Sequence, residues 1–242
     1  MIYNKRSLYK TLKNKKILDK GTRGIVFIND DDTLIKVPRE IEVNMTYRTY
    51  LNSLERLKKT RIEFENYGAM QRIFMEKGKN LDFFDSAKDM VFLDTMYIGV
   101  IIKWYKDCMS LMDYKYTSEQ EFLEIVKRII ENNKILIDRG IYHLDLLLNN
   151  ILYNGKDMHI IDIDGIAIKY FPEKNKEFEN FSYYSIFIGL NNYLESKYIN
   201  EGNIADRSGE LNYILEKEYN SINYKKAKRM IKKIEEKGIF KR

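Results

Sequence analysis

The chain has 242 residues, 44% of them hydrophobic and 32% charged. That is a globular balance with enough length to bury one large core or two small ones, and it excludes a disordered chain. One cysteine, Cys108, and two histidines, His143 and His159, exclude an internal disulfide and a cysteine- or histidine-rich metal centre. The formal net charge is +6, but it is uneven. Residues 1–20 hold seven Lys/Arg against one Asp and residues 225–242 hold nine against two Glu, so the body between them is acidic. A uniformly basic nucleic-acid binder would not look like this, and no nucleic-acid partner is expected.

The basic start, MIYNKRSLYK, lacks the apolar stretch of a signal peptide. No apolar run approaches the ~20 residues that span a bilayer. A cytoplasmic, reduced protein is expected. Ile17–Leu18, Ile25–Ile28 and Leu34–Val37 read as short strands joined by Gly21-Thr-Arg-Gly24 and by an Asn-Asp-Asp-Asp turn. This is an antiparallel meander, ended by Pro38. From Tyr47 to Lys77, Leu51, Leu54, Phe64, Tyr67, Met70 and Phe74 recur at helical spacing, with a break near Lys58–Arg61 and a C-cap at Gly78. Met90–Leu93 and Gly99–Trp104 read as strands, the second nearly all apolar and therefore central.

Thr117-Ser-Glu-Gln-Glu121 supplies a cap and acidic first-turn residues for a helix running to Arg139, stopped by Gly140. Ile141–Asn150 reads as a loop of mixed polarity. Ile151–Tyr153 and His159–Ile163 flank Asn154-Gly155, a strong hairpin signal. From about Lys176 onward two or three helices follow. The order predicts an α+β, bilobal chain: residues 1–106 form a β-rich N-lobe with one main helix, and residues 107–242 a mainly helical C-lobe.

One stretch concentrates chemistry. GIYHLDLLLNNILYNGKDMHIIDIDG holds His143, Asp145, Asn150, Asp162 and Asp164. The hairpin folds Asp162 back beside Asn150. A carboxylate and a carboxamide converging at a strand end suit Mg²⁺, a hard cation that prefers oxygen. Asp145 close by can accept a proton from a hydroxyl nucleophile.

The spacing H-x-D-x-x-x-x-N followed by an Asp twelve residues on resembles the catalytic core of the protein-kinase-like superfamily. Upstream, Gly21-Thr-Arg-Gly24-Ile-Val26 resembles that superfamily's glycine-rich loop, with Asp19 in place of its first glycine, and Thr33-Leu-Ile-Lys36 resembles its strand lysine. The resemblance implies an ATP- and Mg²⁺-dependent kinase. Gly21, Gly24 and Val26 would close over the nucleotide, and Lys36 would hold the α- and β-phosphates. Glu63 or Glu65 would orient that lysine; Glu63 is preferred because Tyr67 and Met70 then fall four and seven residues later. Asp145 would be the catalytic base, Asn150 and Asp162 would hold Mg²⁺, and His143 would brace the loop. Backbone groups near Lys103–Tyr105 would contact adenine. Asp164 stands where the superfamily has glycine, and either helps hold metal or caps the next turn.

Within the superfamily, Leu147 stands where Ser/Thr protein kinases carry lysine, and Phe171-Pro-Glu173 follows Asp162 too closely for a peptide-docking segment. Gly140–Leu152 and Ile160–Gly165 are similar instead to the small bacterial lipopolysaccharide core (Kdo and heptose) kinases. This resemblance implies a sugar or glycolipid acceptor. The basic ends are either solvated surface or a peripheral contact with an anionic membrane at its inner face. The alternatives are a small-molecule kinase of the aminoglycoside or choline type, a protein kinase, and a pseudokinase acting as a binding module.

Overall fold

The computed structural model describes residues 1–21, 24–41, 43, 46–59, 61–162, 166–168, 174–198, 204–218 and 221–240. At 58–59, 61–67, 166–168, 197–198, 204–206 and 218 it describes the backbone alone. The architecture is α+β and divides into two compact units, one made of residues 1–80 and 85–106, the other of 81–84 and 107–242.

The first unit is built on a six-stranded sheet. Its strands are β1 (Ile2–Tyr3), β2 (Ile17–Lys20), β3 (Gly24–Ile28), β4 (Thr33–Pro38), β5 (Asp89–Leu93) and β6 (Met96–Lys103). Their order across the sheet is β1-β5-β6-β4-β3-β2, antiparallel except for β1 against β5. The expected meander is β2–β3–β4, and the apolar strand β6 is central, beginning three residues earlier than its sequence pattern implied. Period-two alternation sends Ile25, Phe27, Ile35 and Val37 to one face, where they meet Leu54 and Leu57 of α2 (Tyr47–Lys59). A second long helix, α3 (Arg61–Lys77), follows at the predicted break and packs against β6. It ends where the Gly78 N–H reaches the Phe74 carbonyl at 2.7 Å.

The basic N-terminus keeps Arg6, Lys10 and Lys13 exposed but buries an apolar face. It folds as α1 (Lys5–Lys13), whose Leu8 and Leu12 are fully buried in the same core. Asn4 starts it with a capping box: its Oδ1 accepts the Ser7 N–H at 2.9 Å, and its own N–H donates to Ser7 Oγ at 3.0 Å. Charge alone hid the i, i+4 pair of leucines.

Strands β4 and β6 approach unusually closely at Gly99. A Cβ there would stand 2.2 Å from the Lys36 carbonyl oxygen and 3.2 Å from Val37 Cγ1. Only glycine fits this crossing.

The second unit is mainly helical. Ser118 caps α4 (Glu119–Asp138), its Oγ accepting the Glu121 N–H at 3.1 Å, with Glu119 and Glu121 in the first turn as expected. Gly140 takes a left-handed φ of 71° just past its end. Three more helices follow, α5 (Asn175–Tyr198), α6 (Ile204–Glu218) and α7 (Tyr224–Lys237). Their core includes Phe122 stacked on Tyr193 at 4.6 Å, with Tyr116 and Phe240 against the same rings. Helix α7 lays Ala227, Met230, Ile231 and Ile234 on this core, so the basic C-terminal end is an amphipathic helix. Lys228 pairs with Glu131 at 3.0 Å and Lys237 with Glu210 at 3.0 Å.

The short strands of this unit carry the chemistry-bearing loop. β7 (Met109–Ser110) and β10 (Met158–Ile160) flank β9 (Ile151–Tyr153), and β8 (Ile141–His143) pairs antiparallel with β11 (Ile166–Ile168). The β9–β10 hairpin turns at Asn154-Gly155 as predicted, with Gly155 at φ 95°. β8 was expected to be loop, and β10 stops three residues before the expected end. The segment Leu81–Phe84 joins this unit: the Ile160 N–H donates to the Phe83 carbonyl at 2.7 Å, and His159 Nδ1 bonds to the Asp82 carbonyl at 2.9 Å.

Candidate active site

The sequence-predicted residues fall into two groups, one in each unit. In the first, Gly21 and Gly24 close the β2–β3 turn, the Gly21 N–H donating to the Gly24 carbonyl at 2.9 Å. Val26 and Lys36 are direct cross-strand partners, and Lys36 in turn faces Val100 on β6. Partners in a ladder share a face, so Val26 and Lys36 lie together on the face opposite Ile35 and Val37. A Cβ on Gly24 would meet Lys36 Cε at 3.2 Å, so the missing side chain leaves a channel for the lysine stem. Asp19, the residue in place of a glycine, turns its carboxylate onto the Lys20 N–H at 2.7 Å. Glu63 and Glu65 lie on α3, and their side chains are outside the described residues.

At the end of β6, Lys103 holds its ammonium over the Tyr105 ring at 4.9 Å. The Trp104 N–H is already committed to the Asp32 carbonyl at 2.9 Å. Asp85, between α3 and β5, is a buried acid with no signal in the sequence; burial raises its carboxyl pKa to about 7 against the opposing pull of nearby Lys103, Lys88 and Lys36.

The second group is tighter. Strand β8 ends at His143, and a loop carrying Asp145 leads into a single 3₁₀ turn, Leu148–Asn150. Asn150 Nδ2 donates to the Asp145 carbonyl at 2.8 Å and to Asp145 Oδ2 at 3.1 Å. Both donor hydrogens are thereby spent on Asp145, which fixes the amide orientation; Oδ1 accepts the Asn149 Nδ2 hydrogen at 3.3 Å and keeps a second lone pair for a cation. Across the hairpin the Ile161 N–H donates to the Asn150 carbonyl at 2.9 Å, so Asp162 follows directly after the residue registered on Asn150. Asp162 adopts a left-handed φ of 63°. Aspartate tolerates that region better than most residues, and a non-glycine held there is a mark of local constraint often found at functional sites. Asn150 and Asp162 offer two hard oxygen donors, a set that fits Mg²⁺. Asp164 lies outside the described residues.

His143 is fully buried, and burial lowers its pKa below the ordinary histidine range. The ring is neutral, and Nε2, bonded to the Ile161 carbonyl at 3.0 Å, carries the hydrogen. It ties β8 to the segment just past the β9–β10 hairpin.

Two further residues support the loop from α5. Ser185 Oγ accepts the Leu146 N–H at 3.0 Å while donating to the Ser182 carbonyl. One turn later Gly189 sits so close that a Cβ would stand 3.0 Å from the Leu148 nitrogen and 3.3 Å from Leu147 Cα. The helix therefore holds the segment Leu146–Leu148 by one hydrogen bond and one backbone contact. No local motif marks these residues, which lie far along the chain from the loop. Ser185→Ala leaves a buried N–H without its acceptor and is expected to cost about 1–3 kcal/mol, read from the denaturant unfolding midpoint. Gly189→Ala should cost a comparable amount, because backbone has to give way. An unchanged midpoint in both variants would show that α5 does not hold the loop.

Among the described residues, no group of three or more His, Cys, Asp or Glu converges, and no helix is long and apolar enough to cross a membrane. No protein-family model matches the chain, and no curated protein matches it.

Proposed function

We propose that the chain is an ATP- and Mg²⁺-dependent phosphotransferase with a protein-kinase-like fold, which passes the γ-phosphate to a hydroxyl of a sugar, in particular a sugar of the lipopolysaccharide core. The observation that carries this reading is the grip of Asn150 on Asp145. Two bonds from one amide orient a carboxylate, and Asp162 directly follows Ile161, whose N–H is bonded to the carbonyl of that same asparagine. A first unit built on a six-stranded sheet, though with three helices where one main helix was expected, and a mainly helical second unit are compatible with it.

Each residue then has a physical task. Asp145 accepts the proton of the attacking hydroxyl. Asn150 keeps that carboxylate aimed and, with Asp162, presents oxygen to the metal. Bound Mg²⁺ would neutralise phosphate charge. Lys36, its stem laid over Gly24, supplies a fixed cation to the α- and β-phosphates. Gly21 and Gly24 let backbone approach those phosphates without side-chain obstruction. The sugar acceptor rests on the likeness of Gly140–Leu152 to the core-sugar kinases. The pairing of Lys228 and Lys237 within the protein leaves less positive charge for an anionic membrane than the sequence count implies.

The test is transfer from γ-labelled ATP. Label should enter extracted core glycolipid, need Mg²⁺ and stop with EDTA. Label entering an aminoglycoside, choline or a protein in place of the glycolipid would reassign the acceptor. A protein that binds MgATP and transfers nothing would be a pseudokinase.

A further inference from the structure

Helix α7 carries charge that the helix itself does not want. Ala227, Met230, Ile231 and Ile234 define its buried stripe. The helical period turns Lys225, Arg229, Lys232 and Lys233 to the other side, and all four are exposed. One carboxylate, Glu236, shares that side and lies 3.7 Å from Lys232. Lys225, Arg229 and Lys233 have no ion-pair partner among the described residues. The lysines at the margins of the helix differ, since Lys228 meets Glu131 of α4 and Lys237 meets Glu210 of α6.

This outward face works against its own helix. Lys225 and Arg229, then Arg229 and Lys233, are like charges at i, i+4, and such pairs repel. The first turn of α7 holds Lys225 and Lys226 and no acidic residue, although the positive end of the helix dipole favours acids there. Two local rules are broken with no gain inside the fold, which points to a use outside it. The face continues onto α6. Glu210, Tyr213 and Lys217 follow one another at three- and four-residue spacing along one side of that helix. The Glu210–Lys237 pair at 3.0 Å joins that side to the end of α7. Tyr213 is 57% exposed, with the Lys217 ammonium 4.1 Å from the centre of its ring.

We propose that the outward face of α7, bordered by Tyr213 and Lys217 of α6, docks on the surface of an anionic phospholipid bilayer. Three of its four cations are lysines, point charges on flexible stems that suit a diffuse negative surface. Fork-like recognition of single phosphates on a nucleic acid calls for arginine instead. An exposed tyrosine suits the boundary between headgroups and water. The outward positions of α7 bear no apolar side chain, so the contact is made with headgroups, without insertion, and is reversible. This docking goes beyond the phosphotransferase reading and does not depend on it.

Binding is read by co-sedimentation of the full chain with vesicles of phosphatidylcholine containing phosphatidylglycerol, and with vesicles of phosphatidylcholine alone. The protein should pellet with the first and stay in solution with the second. Raising the salt from about 0.1 M to about 1 M shortens the screening length from about 10 Å to about 3 Å and should release it. Each cation near an anionic surface contributes a factor of about five. Lys225→Gln, Arg229→Gln, Lys232→Gln and Lys233→Gln combined should therefore weaken binding roughly 10²–10³-fold. Glutamine matches lysine as a helix former and removes the repulsion, so the unfolding midpoint of this variant should equal or exceed that of the wild type. Arg6→Gln, Lys10→Gln, Lys13→Gln and Lys16→Gln combined take the same charge from the exposed start of the chain, and should leave binding within about threefold because distant charges are screened. A wild-type protein that ignores the anionic vesicles overturns the proposal. So does an equal loss in both variants, which would make net charge and not this face the cause. A lowered midpoint in the α7 variant would show that the four cations serve the helix, and tighter binding to an RNA oligonucleotide than to the vesicles at equal salt would give the face to nucleic acid; either result also overturns it. No ATP enters these measurements, so their failure is separate from a failure of the phosphotransferase reading.

Discussion

Asp145→Asn is expected to lower phosphate transfer roughly 10²–10⁴-fold, the usual contribution of a positioned general base. Asparagine keeps the volume of aspartate and still offers an oxygen to Asn150 Nδ2, so the loop should hold its shape. It cannot take a proton. MgATP affinity should stay within about twofold, because the groups assigned to the nucleotide are elsewhere. The measurement is a pair of numbers on one preparation: the transfer rate from labelled ATP, and the Kd from a nucleotide titration. Loss of rate with retained binding fits a base acting on the acceptor. Equal, near-zero rates in both proteins would instead identify the chain as a binding module. Full activity in the variant would remove Asp145 from the chemistry altogether. Asn150→Ala should be harsher: it removes the metal-directed oxygen together with the two bonds that aim Asp145, so transfer and its dependence on Mg²⁺ should both go.

The largest structural effect is expected at Gly99. Alanine there would bring a Cβ to 2.2 Å from the Lys36 carbonyl, well inside any tolerated contact. Neither atom belongs to a flexible side chain, so β4 and β6 have to move apart. Overpacking of this kind costs about 1–3 kcal/mol and more where backbone resists. Against a typical total of about 5–15 kcal/mol that is a large share. Because the colliding carbonyl belongs to Lys36, the damage should reach the cation assigned to the phosphates. Gly99→Ala should therefore lower the guanidinium unfolding midpoint and weaken MgATP binding together. An alanine variant with the wild-type midpoint would mean that the two strands do not meet as closely as described.

What could be read in advance was whatever had a local signal. The β2–β4 meander announced itself through alternation and turn residues. The break between α2 and α3 fell where the apolar spacing faltered, and Ser118 and Gly140 bracketed α4. The order His143, Asp145, Asn150, Asp162 was visible for the same reason, being one short stretch with fixed spacing. Features that depend on distant partners were not visible. β8 and β11 are three residues each and exist only because they pair with one another. Helix α1 was masked by its charge, although Leu8 and Leu12 already marked its inner face. Ser185 and Gly189 act on the loop by close approach from α5, which no spacing rule anticipates. Asp85 is a lone acidic residue in Leu81-Asp-Phe-Phe-Asp-Ser-Ala-Lys88, and only the burial of its side chain distinguishes it.

The small detour of Leu81–Phe84 into the second unit has a practical outcome for anyone wishing to cut the chain in two. A fragment starting at Asp107 would forfeit the carbonyl that receives the Ile160 N–H and the strand bridge between Phe84 and Ile160, baring one border of the hairpin that leads to Asp162. The complementary fragment ending at Lys106 would carry Phe83 and Phe84 as stranded aromatic baggage. Genetic dissection at the obvious joint thus yields two incomplete halves, and truncation phenotypes there would report mis-assembly before they report on any assigned activity.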